Sequence, residues 1–139
     1  MARMRTTHRH NFLGGVAAAV AACLAAGAAP AADSGGSYMV YGVGAKRCND
    51  FVRTVIGARS RQKDEADRFV MMSWVQGYLT QYNSRSPATY SIAGRSDTQG
   101  IQLWLYNYCL AYPEDSFERA ASALIDELYP ARMATDPVP

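Results

Sequence analysis

The residues able to do chemistry are few and unevenly placed. Cysteines stand at 23, 48 and 109, and both histidines, His8 and His10, lie in the opening stretch. Once that stretch is removed, no imidazole remains for general-base catalysis or for a metal site. Carboxylates are then the main acid/base groups. Asp64, Glu65, Asp67, Glu114, Asp115, Glu118, Asp126 and Glu127 all fall where helix ends or polar helix faces are expected, so solvated caps account for them. The Asp64-Glu65-x-Asp67 group lacks the alternating oxygen spacing of a calcium loop. A reactive thiol would need a histidine to activate it. These patterns point away from catalysis, metals and cofactors and toward a non-enzymatic protein.

The leader carries its own signal. MARMRTTHRHN holds Arg3, Arg5 and Arg9 and no acid, and the apolar, Ala-rich FLGGVAAAVAACLAAGAAP follows, which is the layout of a secretory signal peptide over residues 1–31. Small residues at Ala26/Ala28 and Ala29/Ala31 suit cleavage, expected near Ala31, with export to the periplasm. A rival site before Cys23, in Val20-Ala21-Ala22-Cys23, would give a lipid-anchored protein, but the chain stays apolar through Ala29, where a lipoprotein usually turns polar. Three of the 14 basic residues leave with the leader and none of the 12 acidic ones, so 11 minus 12 leaves the mature chain at −1. A near-neutral chain without a basic run argues against nucleic acid and, after cleavage, against membrane as partners. With Cys23 removed, Cys48 and Cys109 form an even pair in an oxidising compartment, which reads as one disulfide.

The elements that must position these residues are helices. Residues 32–43, with Tyr38, Val40 and Val43 out of helical phase, read as an extended arm, and residues 44–130 as one four-helix, all-α domain. A first helix over about Ala45 to Ile56 puts Cys48, Phe51, Val52, Val55 and Ile56 on one stripe and stops at Gly57. A second, from near Asp64 to about Asn83, has Met71, Trp74, Val75, Tyr78, Leu79 and Tyr82 as its seam, and Gly77 in it is expected to permit a close helix crossing. SRSPATYSIAGR is the longest internal loop. The third helix opens at Ser96 with a capping-box pattern to Gln99 and carries Ile101, Leu105, Cys109 and Tyr112 on its inner side. The fourth opens with Asp115 as cap, lines its inner face with Phe117, Ala121, Leu124 and Leu128, and closes at Pro130, leaving residues 131–139 as a flexible tail. Cys48 and Cys109 both face inward, and the bridge between them would stabilise so small a domain by about 4 kcal/mol.

Certain motifs add a resemblance. Cys48-Asn49-Asp50-Phe51 has the form Cys-x-[Asp/Glu]-Phe, and Tyr108-Cys109 with Pro113 has the form Tyr-Cys-x-x-x-Pro. With a Trp-bearing helix between them, these resemble the periplasmic acid-stress chaperones of the HdeA/HdeB type. Tyr41 to Cys48, as Tyr-Gly-x-Gly-x-x-x-Cys, and Trp74 to Tyr78, as Trp-x-x-Gly-Tyr, are similar to a broader group of small exported proteobacterial proteins. A second similar architecture is that of the Tai-like type VI amidase-immunity proteins. The resemblance implies an all-helical fold with a Cys48–Cys109 bridge.

Two protein-binding functions follow as expectations. One is an acid-stress holdase, dimer or folded monomer, that loosens in acid and coats unfolding clients. The other is an immunity-like inhibitor of one specific partner. Tyr78, Tyr82, Trp104 and Tyr108 exceed what a single buried stripe needs and are the expected partner-binding residues. Asp64, Asp67, Asp115 and Glu118 are the expected acid sensors, since capping and the helix dipole favour their charged forms.

Overall fold

A computed structural model describes residues 32, 33, 35–58 and 61–137; the expected leader and its cleavage sites lie outside them. The chain separates into two units, residues 1–38 and 39–139. In the first, the described part is a turn in which the Asp33 carboxylate accepts from the amides of Gly35 and Ser37, both at 2.8 Å.

The second unit is all-α, with four helices: α1 (Cys48–Gly57), α2 (Gln62–Arg85), α3 (Thr98–Ala111) and α4 (Phe117–Leu128). No β-strand forms among its described residues, only two isolated bridges. Helix α1 packs against both α2 and α3, and α4 closes on α3. Phe51, Met71, Val75, Leu105, Phe117 and Leu124 fill the centre, with Phe51 and Phe117 rings 4.8 Å apart. No helix among the described residues is long and apolar enough to cross a membrane.

The Cys48–Cys109 disulfide joins the start of α1 to the end of α3, with both residues fully buried. Its position explains why α1 begins at Cys48 and not near Ala45. The first amides of a helix have no partner within it. Here those of Cys48 and Asn49 donate to the carbonyls of Asp115 (2.8 Å) and Pro113 (3.0 Å), from the loop that follows α3. The Phe117 amide returns the contact to the Lys46 carbonyl at 2.7 Å. Ahead of α1, where the extended arm was expected to end, Gly42–Ala45 instead forms one 3-10 turn.

Trp74 of α2 closes over that turn. Its indole Nε1 donates to the Tyr41 carbonyl at 3.0 Å, and its ring lies on Gly44 so closely that a Cβ there would sit 2.2 Å from Cζ2. Gly42 holds a φ of +65°, which a side chain disfavours. The Tyr-Gly-x-Gly and Trp-x-x-Gly-Tyr motifs are thus two halves of one packing contact. Gly77, by contrast, has open space where its Cβ would be, so the close crossing expected of it is absent and the residue only weakens α2.

Several expectations shift by a residue or more. Asp97, not Ser96, caps α3 and accepts from the Gly100 amide at 2.7 Å; Ser116, not Asp115, caps α4 and accepts from Arg119 at 3.1 Å. Ile56 is 63% exposed, because it falls one step past the stripe that Cys48, Phe51, Val52 and Val55 complete. Tyr112 is also exposed: α3 ends at Ala111, and the Tyr112 backbone leaves the helical range, so the inward period stops before it. The loop between α2 and α3 buries Ile92 completely, its amide held by Asn83 Oδ1 at 2.8 Å. Past α4, Pro130 lies inside a 3-10 turn, Tyr129–Ala131. Met133, placed in the tail expected to be flexible, is hydrogen-bonded to Ser91 in both directions, at 2.9 and 3.1 Å. Gly94 (φ +57°) allows that approach, since a Cβ would meet the Ala131 carbonyl oxygen at 2.4 Å.

Two glycines therefore make opposite tests. Gly44→Ala should destabilise by about 1–3 kcal/mol and shift the tryptophan emission, because a rigid indole must move. Gly77→Ala should stabilise by about 1 kcal/mol through helix propensity. Urea unfolding of both variants checks the pair; a neutral Gly44→Ala or a destabilising Gly77→Ala would contradict these contacts.

Candidate functional site

Helical spacing of four builds two aromatic ladders. On α2, Trp74 and Tyr78 stack with centroids 5.2 Å apart, and Tyr82 stands one turn further on. On α3, Trp104 and Tyr108 stack at 5.4 Å, and Tyr112 adds a tilted contact to Tyr108 at 4.9 Å. Tyr78, Tyr82, Trp104 and Tyr108 are all half-buried and packed against the core. The four expected partner residues therefore lie at the boundary between core and solvent, and Tyr112, which the period assigned to the interior, extends the second ladder outward.

Each ladder is latched by a carboxylate from the start of α4 or the loop before it. The Tyr78 hydroxyl donates to Glu118 Oε1 at 2.9 Å, and the Tyr108 hydroxyl donates to Asp115 Oδ2 at 2.9 Å. Two residues expected to sense acid are thereby paired with two expected to bind partners, a juxtaposition that spacing along the chain does not show. Glu118 is only 7% exposed, an unusual place for a carboxylate unless its oxygens have donors. Asp115 is freed for its latch because Ser116 takes the capping role, and it also meets the Arg119 guanidinium at 3.3 Å. Burial raises the Tyr108 phenol above its ordinary value of 10.0, and the adjacent Asp115 raises it further through their hydrogen bond and its charge, while Arg119 opposes both.

The other two expected sensors stand at the start of α2 with basic partners. Asp64 pairs with Arg61 at 2.5 Å, over Gly57, where a Cβ would collide with the carboxylate. Asp67 pairs with Lys63 at 2.5 Å. The Lys63 hydrogen bond holds the Asp67 carboxyl below the usual carboxylate range, against the opposing effect of desolvation. A depressed value means that the pair stabilises above the ordinary carboxylate range, and that this is lost as pH falls through the folded value. The pair is exposed, so its contribution is small.

Among the described residues, no three His, Cys, Asp or Glu side chains are placed to hold a metal ion. Compared with protein families, with curated proteins and with solved structures, the chain finds no match. The functional reading accordingly rests on the geometry of the ladders and their latches.

The Tyr108–Asp115 latch has an alkaline signature. A raised phenol value means the folded state favours the neutral hydroxyl, so the stability it adds is complete below about 10 and lost as pH rises through the folded value. Tyr108→Phe should lower stability near pH 7 by about 1 kcal/mol and flatten the loss above about pH 10. Unfolding measured at neutral and alkaline pH checks this. An unchanged alkaline loss in Tyr108→Phe would place its origin elsewhere.

Proposed function

We propose that the chain is an exported, non-enzymatic protein-binding domain that works as a holdase in acid, in the manner of the HdeA/HdeB chaperones it resembles. The observation that carries this reading is the pairing of Tyr78 with Glu118 and Tyr108 with Asp115. A hydroxyl bound to a carboxylate makes a charge-assisted hydrogen bond, roughly twice as strong as a neutral one. Protonation turns each latch into a neutral contact, and for Glu118 it does so in a buried site. The eleven basic residues of 32–139 are by then almost unopposed, and their repulsion favours a looser domain. The ladders would then present Trp74, Tyr78, Trp104 and Tyr108 to unfolding clients, while the disulfide keeps the opened chain compact. No imidazole lies in 32–139, so the response belongs to carboxylates.

Far-UV dichroism and tryptophan emission of the oxidised protein should stay flat from pH 8 to about 5 and change below about 4, with protection of two unrelated acid-denatured enzymes appearing over the same range. Glu118→Gln, which keeps the shape but removes the charge, should move both transitions to higher pH. A midpoint near 6, or an unchanged profile in Glu118→Gln, would contradict the latch. A flat trace down to about pH 2 without client protection would leave the immunity-like binder of one partner as the better reading.

A further inference from the structure

A second surface, which uses none of the latch residues, lies where α1, α2 and α3 meet. A cleft of about 600 Å³ is walled there by Val55, Ile56, Leu103 and Tyr106, and among the described residues its one charged lining group is Arg68. Arg68 also lines a shallower hollow on α2, with Ala66, Phe69 and Val70 as its apolar part and Gln62 and Glu65 as its polar part. Ile56, Leu103 and Phe69 are 63%, 60% and 69% exposed, which is high for large apolar side chains beside such a cleft.

The electrostatics select what could fill it. Arg53, Arg61 and Lys63 each meet a carboxylate, those of Asp50, Asp64 and Asp67. Arg68 is half-buried, yet its guanidinium donates to a neutral acceptor, Gln102 Oε1 at 2.7 Å, and meets no carboxylate within ion-pair distance among the described residues. A guanidinium has five N–H donors in a fork that matches a carboxylate. Apolar walls that a bound segment would cover, and so shield from water, strengthen the attraction it would have for one. Because Arg68 lines both hollows, an anion paired with it would meet apolar lining from each. An acidic side chain within an apolar peptide has that form; a fatty acid, with its carboxylate at one end, does not.

The geometry points to a docking site for a segment of another protein that presents an Asp or Glu between apolar side chains, its carboxylate on Arg68 and its apolar groups against Ile56, Leu103 and Phe69. The site belongs to the folded state and uses none of the latch residues.

Selection of a displayed random-peptide library on the purified oxidised protein near pH 7 tests it, followed by titration of one enriched peptide, its Gln or Asn counterpart, and decanoate. Enriched peptides should carry an acid flanked by apolar residues, and the amide counterpart should bind about tenfold more weakly or worse. Arg68→Gln should abolish that difference, Arg68→Lys should keep part of it, and Leu103→Asp, at an exposed position, should remove binding. The proposal is overturned by a failure to enrich, by enriched peptides without an acid, by equal binding of acid and amide forms, or by decanoate displacing the peptide at a similar concentration. Since all of this is measured near pH 7, its failure is distinct from failure of the acid titration.

Discussion

One covalent constraint, the buried Cys48–Cys109 disulfide, sets the junction on which the rest of the domain depends. It holds the first residue of α1 against the last turn of α3, with Cα atoms 4.7 Å apart. From there Pro113 and Asp115 can reach the unpaired amides of α1, and Phe117 can reach back to Lys46. Those backbone contacts fix where α4 starts and place Phe117 against Phe51 and, at 6.2 Å, Trp74. Trp74 in turn packs on Gly44 and holds the turn that leads into Cys48. A core of this size gains little stability beyond what ordering its residues costs, so a cross-link at the centre of these contacts has large leverage.

The same junction explains why the carboxylates matter. Asp115 lies in the loop positioned by the bridge, and Glu118 lies in the first turn that the loop delivers. Each accepts a tyrosine from a different helix, Tyr108 from α3 and Tyr78 from α2. Two charged latches thus tie the outer aromatic ladders to one end of α4. Under the proposed acid response the bridge, which acid does not open, would let the domain loosen without dispersing.

Much of this was legible in the chain because the governing signals are local or pairwise. Helical period found the core stripes of α1 and α4, and an even cysteine count with inward phase found the bridge. The aromatic excess on α2 and α3 was legible for the same reason. What escaped depends on contacts across the fold. Ser116, not Asp115, caps α4, while the Asp115 carboxylate meets Tyr108 and Arg119 from across the fold and the next turn. Ile92 enters the core from a loop whose Pro, Gly and Ser content reads as solvent-exposed. Gly77 resembles a crossing point in sequence, but whether another element passes over it is a tertiary fact. Arg68 looks like any helical arginine until the fold half-buries it against Gln102 and, among the described residues, leaves it without a carboxylate.

The most direct test of the central role of the bridge is equilibrium urea unfolding of the oxidised protein beside protein reduced and kept reduced, followed by tryptophan emission. With the two cysteines 61 residues apart, reduction should lower the unfolding free energy by about 4 kcal/mol, a large share of what a small domain possesses, and the Trp74 contact with Gly44 should loosen with it. Unchanged stability and emission after complete reduction would show that the junction holds without its disulfide, and would contradict this view of the fold.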